Sequence, residues 1–130
     1  TQKKRTQTAV YSYKNYIYSI MTEVTVYSES GHITAVTAKG HTGFAEQGED
    51  IVCAALSSII QTALLGLLTV VGIEVKYDRV EGEDARLSFS LPQLDKDARH
   101  DVDVILNTML FGVSVLYSEY SDFISLEMKN

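Results

Sequence analysis

The chain has no tryptophan, one proline and one cysteine in 130 residues. A single cysteine excludes an intramolecular disulfide framework and fits a reducing compartment. It also cannot build a zinc site unless histidines and carboxylates supply the remaining ligands. So little proline excludes a proline-rich linker array, and 45% hydrophobic against 22% charged residues excludes a disordered chain. Basic charge is scarce and unevenly placed: of eleven Lys and Arg, four (Lys3, Lys4, Arg5, Lys14) lie in the first twenty residues, which hold no acid. The remainder sets seven basic against seventeen acidic residues. A body of that sign repels phosphate backbones, so no direct nucleic-acid ligand is expected, and basic partners are attracted.

What is present is enough apolar sequence for one domain, which at this length buries roughly two-thirds of the surface its unfolded form exposes. Residues 1–20 differ from the rest, combining the basic cluster with Tyr11, Tyr13, Tyr16 and Tyr18. Such a segment reads either as an arm that stacks on bases and touches phosphates or as a leader translated ahead of the domain. The expectation is a leader or upstream extension outside the fold, with residues 21–130 forming a single domain, because strand-like alternation starts directly after Met21. No apolar h-region precedes a small-residue cleavage site, so no secretory signal is expected.

Period-two runs on either side of Ser30-Gly31, with Val24 and Val26 before the turn and Ile33, Ala35 and Thr37 after it, predict a hairpin over 22–28 and 32–39. Gly40 to Glu49 reads as a glycine-rich loop. No charge occurs from Ile51 to Ile73, long enough for a bilayer span. Ser57, Ser58, Gln61 and Thr62 near its middle, with no flanking Lys or Arg, favour a buried core helix over 50–69 instead. Ile73, Val75 and Tyr77, then Leu87, Phe89 and Leu91, alternate around Glu81-Gly82-Glu83-Asp84 as a second hairpin, closed by Pro92. Helical spacing over 95–118 puts Val102, Ile105, Met109, Val113, Leu116 and Tyr117 on one face, with Asp95, Asp97, Asp101 and Asp103 near the favourable N-terminal end. Residues 123–128 alternate as a last strand. The order is ββαββαβ, an α+β fold of two layers with a mixed sheet and two helices packed on it.

The chemistry-bearing residues cluster around the start of the first helix. Asp50 is expected to cap it, which places Cys53 at the third helical position, where the positive end of the dipole favours thiolate. Asp50, Cys53 and Ser57 at i, i+3, i+7 share one face. His41 precedes a loop able to fold over this terminus, where imidazole can take the thiol's proton and return it to a leaving amine. Free N–H groups of the helix start would stabilise an oxyanion. The residues alone leave a second reading open, since a lone Cys in an apolar helix is commonly an inert core residue and a lone loop His a solvated side chain. Gly40, Gly43 and Gly48 lack the G-x-x-x-x-G-K-[ST] pattern of a phosphate loop. Ser57-Ser58 lacks a G-x-S-x-G elbow. His32 and His100 fall on separate elements, so neither metal nor cofactor is expected.

Gly40-His41, a spacer, then Asp50-Ile51-Val52-Cys53-Ala54-Ala55-x-Ser57 resembles the signature of the ribosomal-processing cysteine protease family, Prp, and the likeness extends over Met21 to Asn130 in length and element order. The resemblance implies a cytoplasmic bacterial thiol endopeptidase that removes the N-terminal extension of large-subunit ribosomal protein twenty-seven and so supports ribosome assembly. It implies that His41 and Cys53 are catalytic, that Gly40, Asp50 and Ser57 are supporting positions, and that Gly43, Phe44 and Gly48 belong to a substrate loop that orders over the peptide. It further implies a homodimer without a membrane anchor. The competing classes are a non-enzymatic ribosome-assembly binding module with a structural Cys53, and a redox sensor working through an intermolecular Cys53 disulfide.

Overall fold

The computed structural model describes residues 22–40, 47–81 and 85–130, with the backbone alone for residues 47–50. Five strands and two long helices follow in the expected order: β1 (Thr22–Glu29), β2 (His32–Lys39), α1 (Gln47–Leu65), β3 (Lys76–Val80), β4 (Arg86–Ser90), α2 (Lys96–Glu119) and β5 (Ile124–Lys129). The sheet runs β3-β4-β2-β1-β5, antiparallel except for the β1–β5 pair, so it is mixed as expected. The expected leader, residues 1–20, lies outside the described residues.

The first hairpin turns through Ser30 and Gly31, both with positive φ (53° and 81°), the backbone that matches the twist of the flanking strands. The alternation expected along β2 is corrected by the structure. Ile33 is buried, but so are Val36 and, in part, Ala38, while Ala35 and Thr37 turn to the other face. The register explains the change: Ser28 pairs with Ile33 and Tyr27 with Ala35, leaving Thr34 as an extra residue in a bulge. A bulge resets the phase of a strand by one residue, and with it every later side chain.

The expected helix over 50–69 also shifts. It starts at Gln47, so Asp50 is its fourth residue rather than its cap, and Gly48 sits in its first turn rather than in the loop. Acidic residues suit the first turn, near the dipole's positive end, as well as the cap position, and this explains the misplacement of Glu49 and Asp50. After Leu65 the chain widens into a π-helical segment, Gly66–Val71, which ends at Gly72 in the left-handed region with its N–H on the Leu67 carbonyl at 3.0 Å. Ile73 and Val75, expected as strand residues, precede β3. Gly82, Glu83 and Asp84 of the expected turn lie outside the described residues.

Asp95 caps α2, its carboxylate accepting from the Ala98 N–H at 2.8 Å. The buried positions of this helix are Val102, Leu106, Met109 and Val113. Leu106 was missing from the expected face, whereas Ile105 and Leu116 pack only partly and Tyr117 is exposed. An i, i+4, i+7, i+11 row is the narrower stripe that meets the sheet. Both long apolar stretches, Ile51–Val71 and Lys96–Glu119, could cross a membrane by length and composition. In this fold each contributes to a single core, with Leu56, Ile60, Leu67, Leu106, Val24, Val26, Val36 and Ile124 almost fully buried. A polar tie joins α2 to β2: His32 Nδ1 meets Asp103 at 2.7 Å, and Arg99 bonds both Asp103 and the Ile33 carbonyl.

Candidate active site

Cys53 lies in the second turn of α1, buried at 8% exposure, with its sulfur turned toward the start of β1. There Thr22 Oγ1 sits 3.0 Å from Cys53 Sγ, an interaction in which either atom can donate. Thr22 is the only polar side chain in the core among the described residues. It is held by the strand it opens: its N–H donates to the Phe123 carbonyl at 2.9 Å, and it stands in register with Ile124. Gly40 closes the third side. A Cβ at this position would stand 2.7 Å from Thr22 Oγ1 and 3.3 Å from Thr22 Cα, closer than side-chain atoms pack. The Gly40 N–H is fixed on the Ala85 carbonyl at 3.1 Å, which anchors the end of β2 to the approach of β4.

These groups open onto a cleft of about 270 Å³ between α1 and the β2–β4–β3 end of the sheet. Its apolar walls come from Leu56, Ile60, Val80 and Leu87, and its polar side from Ser57 and Gln61. Gln61 Nε2 donates to Ser57 Oγ at 2.6 Å, one helical turn apart, so the Ser57 hydroxyl is held along its own helix. Lys39, Arg79 and Arg86 also line the cleft, with Arg79 paired to Glu81 at 2.9 Å and Arg86 to Asp78 at 2.7 Å. An apolar cavity with a few convergent polar groups is the usual form of a small-ligand or peptide subsite.

The structure thus brings Gly40, Cys53 and Ser57 together around one opening. His41, Gly43 and Phe44 lie outside the described residues, as does the side chain of Asp50. Cys53 is the seventh residue of α1, not the third as the Asp50 cap implied. Its own N–H is therefore within the helical ladder, and the unpaired N–H groups of residues 47–50 begin about 4.5 Å farther along the axis. Dipole stabilisation of a thiolate fades over that distance. Four contributors escaped the sequence reading. Thr22 had a signal, because it shares the inward parity of Val24 and Val26 while being polar. Gln61 had one too, at i+8 from Cys53 on the same face. Arg79 and Arg86 had none, since only hairpin pairing brings them to the cleft. No group of three or more His, Cys, Asp or Glu able to hold a metal occurs among the described residues.

Comparison with known proteins gives this arrangement its setting. The sequence model of the family described as cysteine protease Prp matches residues 21–125. The chain belongs to that family. The ribosomal processing cysteine protease Prp of Staphylococcus aureus strain Mu50 is 32% identical over 113 residues, covering 85% of this chain and 99% of its own length. That of Bacillus subtilis is 31% identical over 85 residues, covering 64% of this chain and 74% of its own. Among solved structures, SMU.848 from Streptococcus mutans superposes with a TM-score of 0.78 at 22% identity, covering 86% of this chain and 97% of its own. The S. aureus Prp in complex with a substrate peptide superposes at 0.72, also at 22% identity, covering 84% and 100%. These likenesses show that the α+β architecture is that of Prp structures, and the family is one of thiol proteases.

Proposed function

We propose that this Prp-family chain is a cysteine endopeptidase that removes the N-terminal extension of large-subunit ribosomal protein twenty-seven, with Cys53 as nucleophile and His41 as general base and acid. The observation that carries the reading is the position of Cys53 Sγ, facing a peptide-sized cleft beside Gly40. Gly40 packs on Thr22, and Thr22 on the sulfur, and His41 follows Gly40 directly in the sequence.

In this mechanism His41 takes the thiol proton and the Cys53 thiolate attacks the scissile carbonyl carbon. The tetrahedral intermediate collapses to a thioester as His41 gives its proton to the leaving amine, which departs with the mature N-terminus. Water, deprotonated by His41, then hydrolyses the thioester and frees the extension with the thiol restored. An extended peptide places an apolar side chain between Leu56, Ile60 and Leu87, while Asp50 and Ser57 support the nucleophile's helix and Gly43 and Phe44 contact the substrate; Gly48 belongs to the first turn of α1. The named relatives support the substrate class, being ribosomal processing proteases, one of them solved with a substrate peptide. The acidic body speeds encounter with a basic ribosomal protein.

The domain comprises residues 21–130, acts in the cytoplasm without nucleic acid or membrane, and forms a homodimer. Val104, Phe111 and Val115, at i, i+7 and i+11 of α2, are all more than half exposed and supply an unpartnered apolar stripe for self-association. Burial of the thiol is the observation that favours the alternative, a binding module with a structural cysteine. Mass spectrometry of the unprocessed ribosomal protein incubated with wild type, Cys53→Ala and His41→Ala separates the two. Release of one defined N-terminal fragment by wild type alone is expected. Equal processing by Cys53→Ala, or none by wild type, refutes the protease reading.

A further inference from the structure

We infer that Thr22 is a positioning residue for the nucleophile, donating its hydroxyl proton to the Cys53 sulfur and thereby stabilising the thiolate; this rests on Cys53 being the nucleophile, as proposed above. Thr22 is 8% exposed, and among the described residues its hydroxyl has one hydrogen-bond partner, Cys53 Sγ at 3.0 Å. A buried hydroxyl with one partner directs its single proton there, because the alternative leaves a donor unsatisfied away from water. Sulfur accepts that proton best as thiolate, so the bond favours the charged, attacking form.

The surroundings hold the hydroxyl in place. Its backbone is pinned between the Phe123 carbonyl and the β1–β5 register, and Gly40 packs directly against Oγ1. Thr22 lines the same cleft as the sulfur, so its hydroxyl stands beside the nucleophile at the opening. The need for it follows from the placement of Cys53 in the second turn, beyond the strongest part of the helix dipole. The charged groups along the same cleft are Lys39 of β2, Arg79 of β3, Glu81 just after β3, and Arg86 of β4. Ser57 and Gln61 of α1 are neutral, and His41 follows Gly40 in the chain. None of these side chains is itself substituted in a Thr22 variant, and Thr22→Ser, which keeps the hydroxyl, is the control for packing.

The test is the pH dependence of iodoacetamide alkylation at Cys53, with peptide-cleavage kinetics alongside, in wild type, Thr22→Val, Thr22→Ser and Cys53→Ala. Loss of one hydrogen bond to a charged group is expected to raise the alkylation midpoint in Thr22→Val by about one pH unit. At a pH below both midpoints kcat falls about tenfold with KM within twofold, and Thr22→Ser restores both. Thr22→Ala gives the same reading if valine is not accommodated. A midpoint in Thr22→Val and Thr22→Ala equal to wild type, or a serine variant as impaired as the valine one, overturns the inference. Cleavage by Cys53→Ala would instead remove the nucleophile reading itself, so the two failures are distinct.

Discussion

Gly40→Ala tests the packing of the site most sharply. The added Cβ would stand 2.7 Å from Thr22 Oγ1, 3.2 Å from its Cβ and 3.3 Å from its Cα. Thr22 cannot simply swing away, because its N–H is bonded to Phe123 and its side chain to Cys53. Overpacking of this kind costs about 1–3 kcal/mol. Replacing glycine offsets about 0.4–1 kcal/mol of it by restricting the unfolded chain. The net loss is about 1–2 kcal/mol, which for a domain of this size lowers the melting temperature by roughly 3–10 °C. Activity should fall further than stability, at least about tenfold, because the displaced atom is the one bonded to the proposed nucleophile. Gly31→Ala is the control. Gly31 has φ +81° with nothing within 4 Å of a new Cβ, so alanine there suffers about 1–2 kcal/mol of left-handed backbone strain far from the thiol. Thermal melts should rank the two variants close together, and peptide-cleavage kinetics should separate them. Full activity in Gly40→Ala, or an equal loss in Gly31→Ala, would refute the reasoning.

Other perturbations address separate parts of the molecule. Ser57→Ala removes a hydroxyl already occupied by Gln61, so cleavage should slow by less than about tenfold while Cys53→Ala abolishes it; equal defects in kcat/KM would show that Ser57 has a direct chemical role. Leu106→Ala, at a fully buried contact of α2, should destabilise by about 2–5 kcal/mol in urea unfolding, and a loss below about 1 kcal/mol would mean that the stripe is misassigned. Asp95→Ala deletes the α2 cap bond to Ala98 and should cost about 1 kcal/mol in the same assay, with Asp95→Asn close to wild type.

Much of this architecture was legible in the residues. Binary alternation and helical spacing set the element order, and Ser30-Gly31 marked its hairpin. The failures have local physical causes. The bulge at Thr34 has no signature in composition, yet it reverses the face of everything after it in β2, exchanging Ala35 and Thr37 for Val36 and Ala38. Asp50 was read as a cap because acids suit both the cap and the first turn, and that one-turn error displaced Cys53 relative to the helix dipole. Leu106 was passed over because the broad apolar face of α2 has several possible rows, and only contact with the sheet selects one. At the site, Cys53, Ser57 and Gly40 converge as the motif suggested, since two of them are one turn apart on α1 and the third ends the neighbouring strand. Thr22 carried only its inward parity as a signal and Arg86 none, because strand pairing and the packing of α1 bring them to the thiol and the cleft across long stretches of sequence.

The central claim is that Cys53 attacks a peptide carbonyl in this cleft, and its direct test is to trap the thioester. Unprocessed ribosomal substrate is mixed with the protein, quenched in acid within one turnover, and the intact protein and its peptides are weighed. The account predicts a single adduct with the mass of the N-terminal extension less one water, located on Cys53 and missing from Cys53→Ala. Cleavage with the adduct on another residue, or undiminished cleavage by Cys53→Ala, would contradict it.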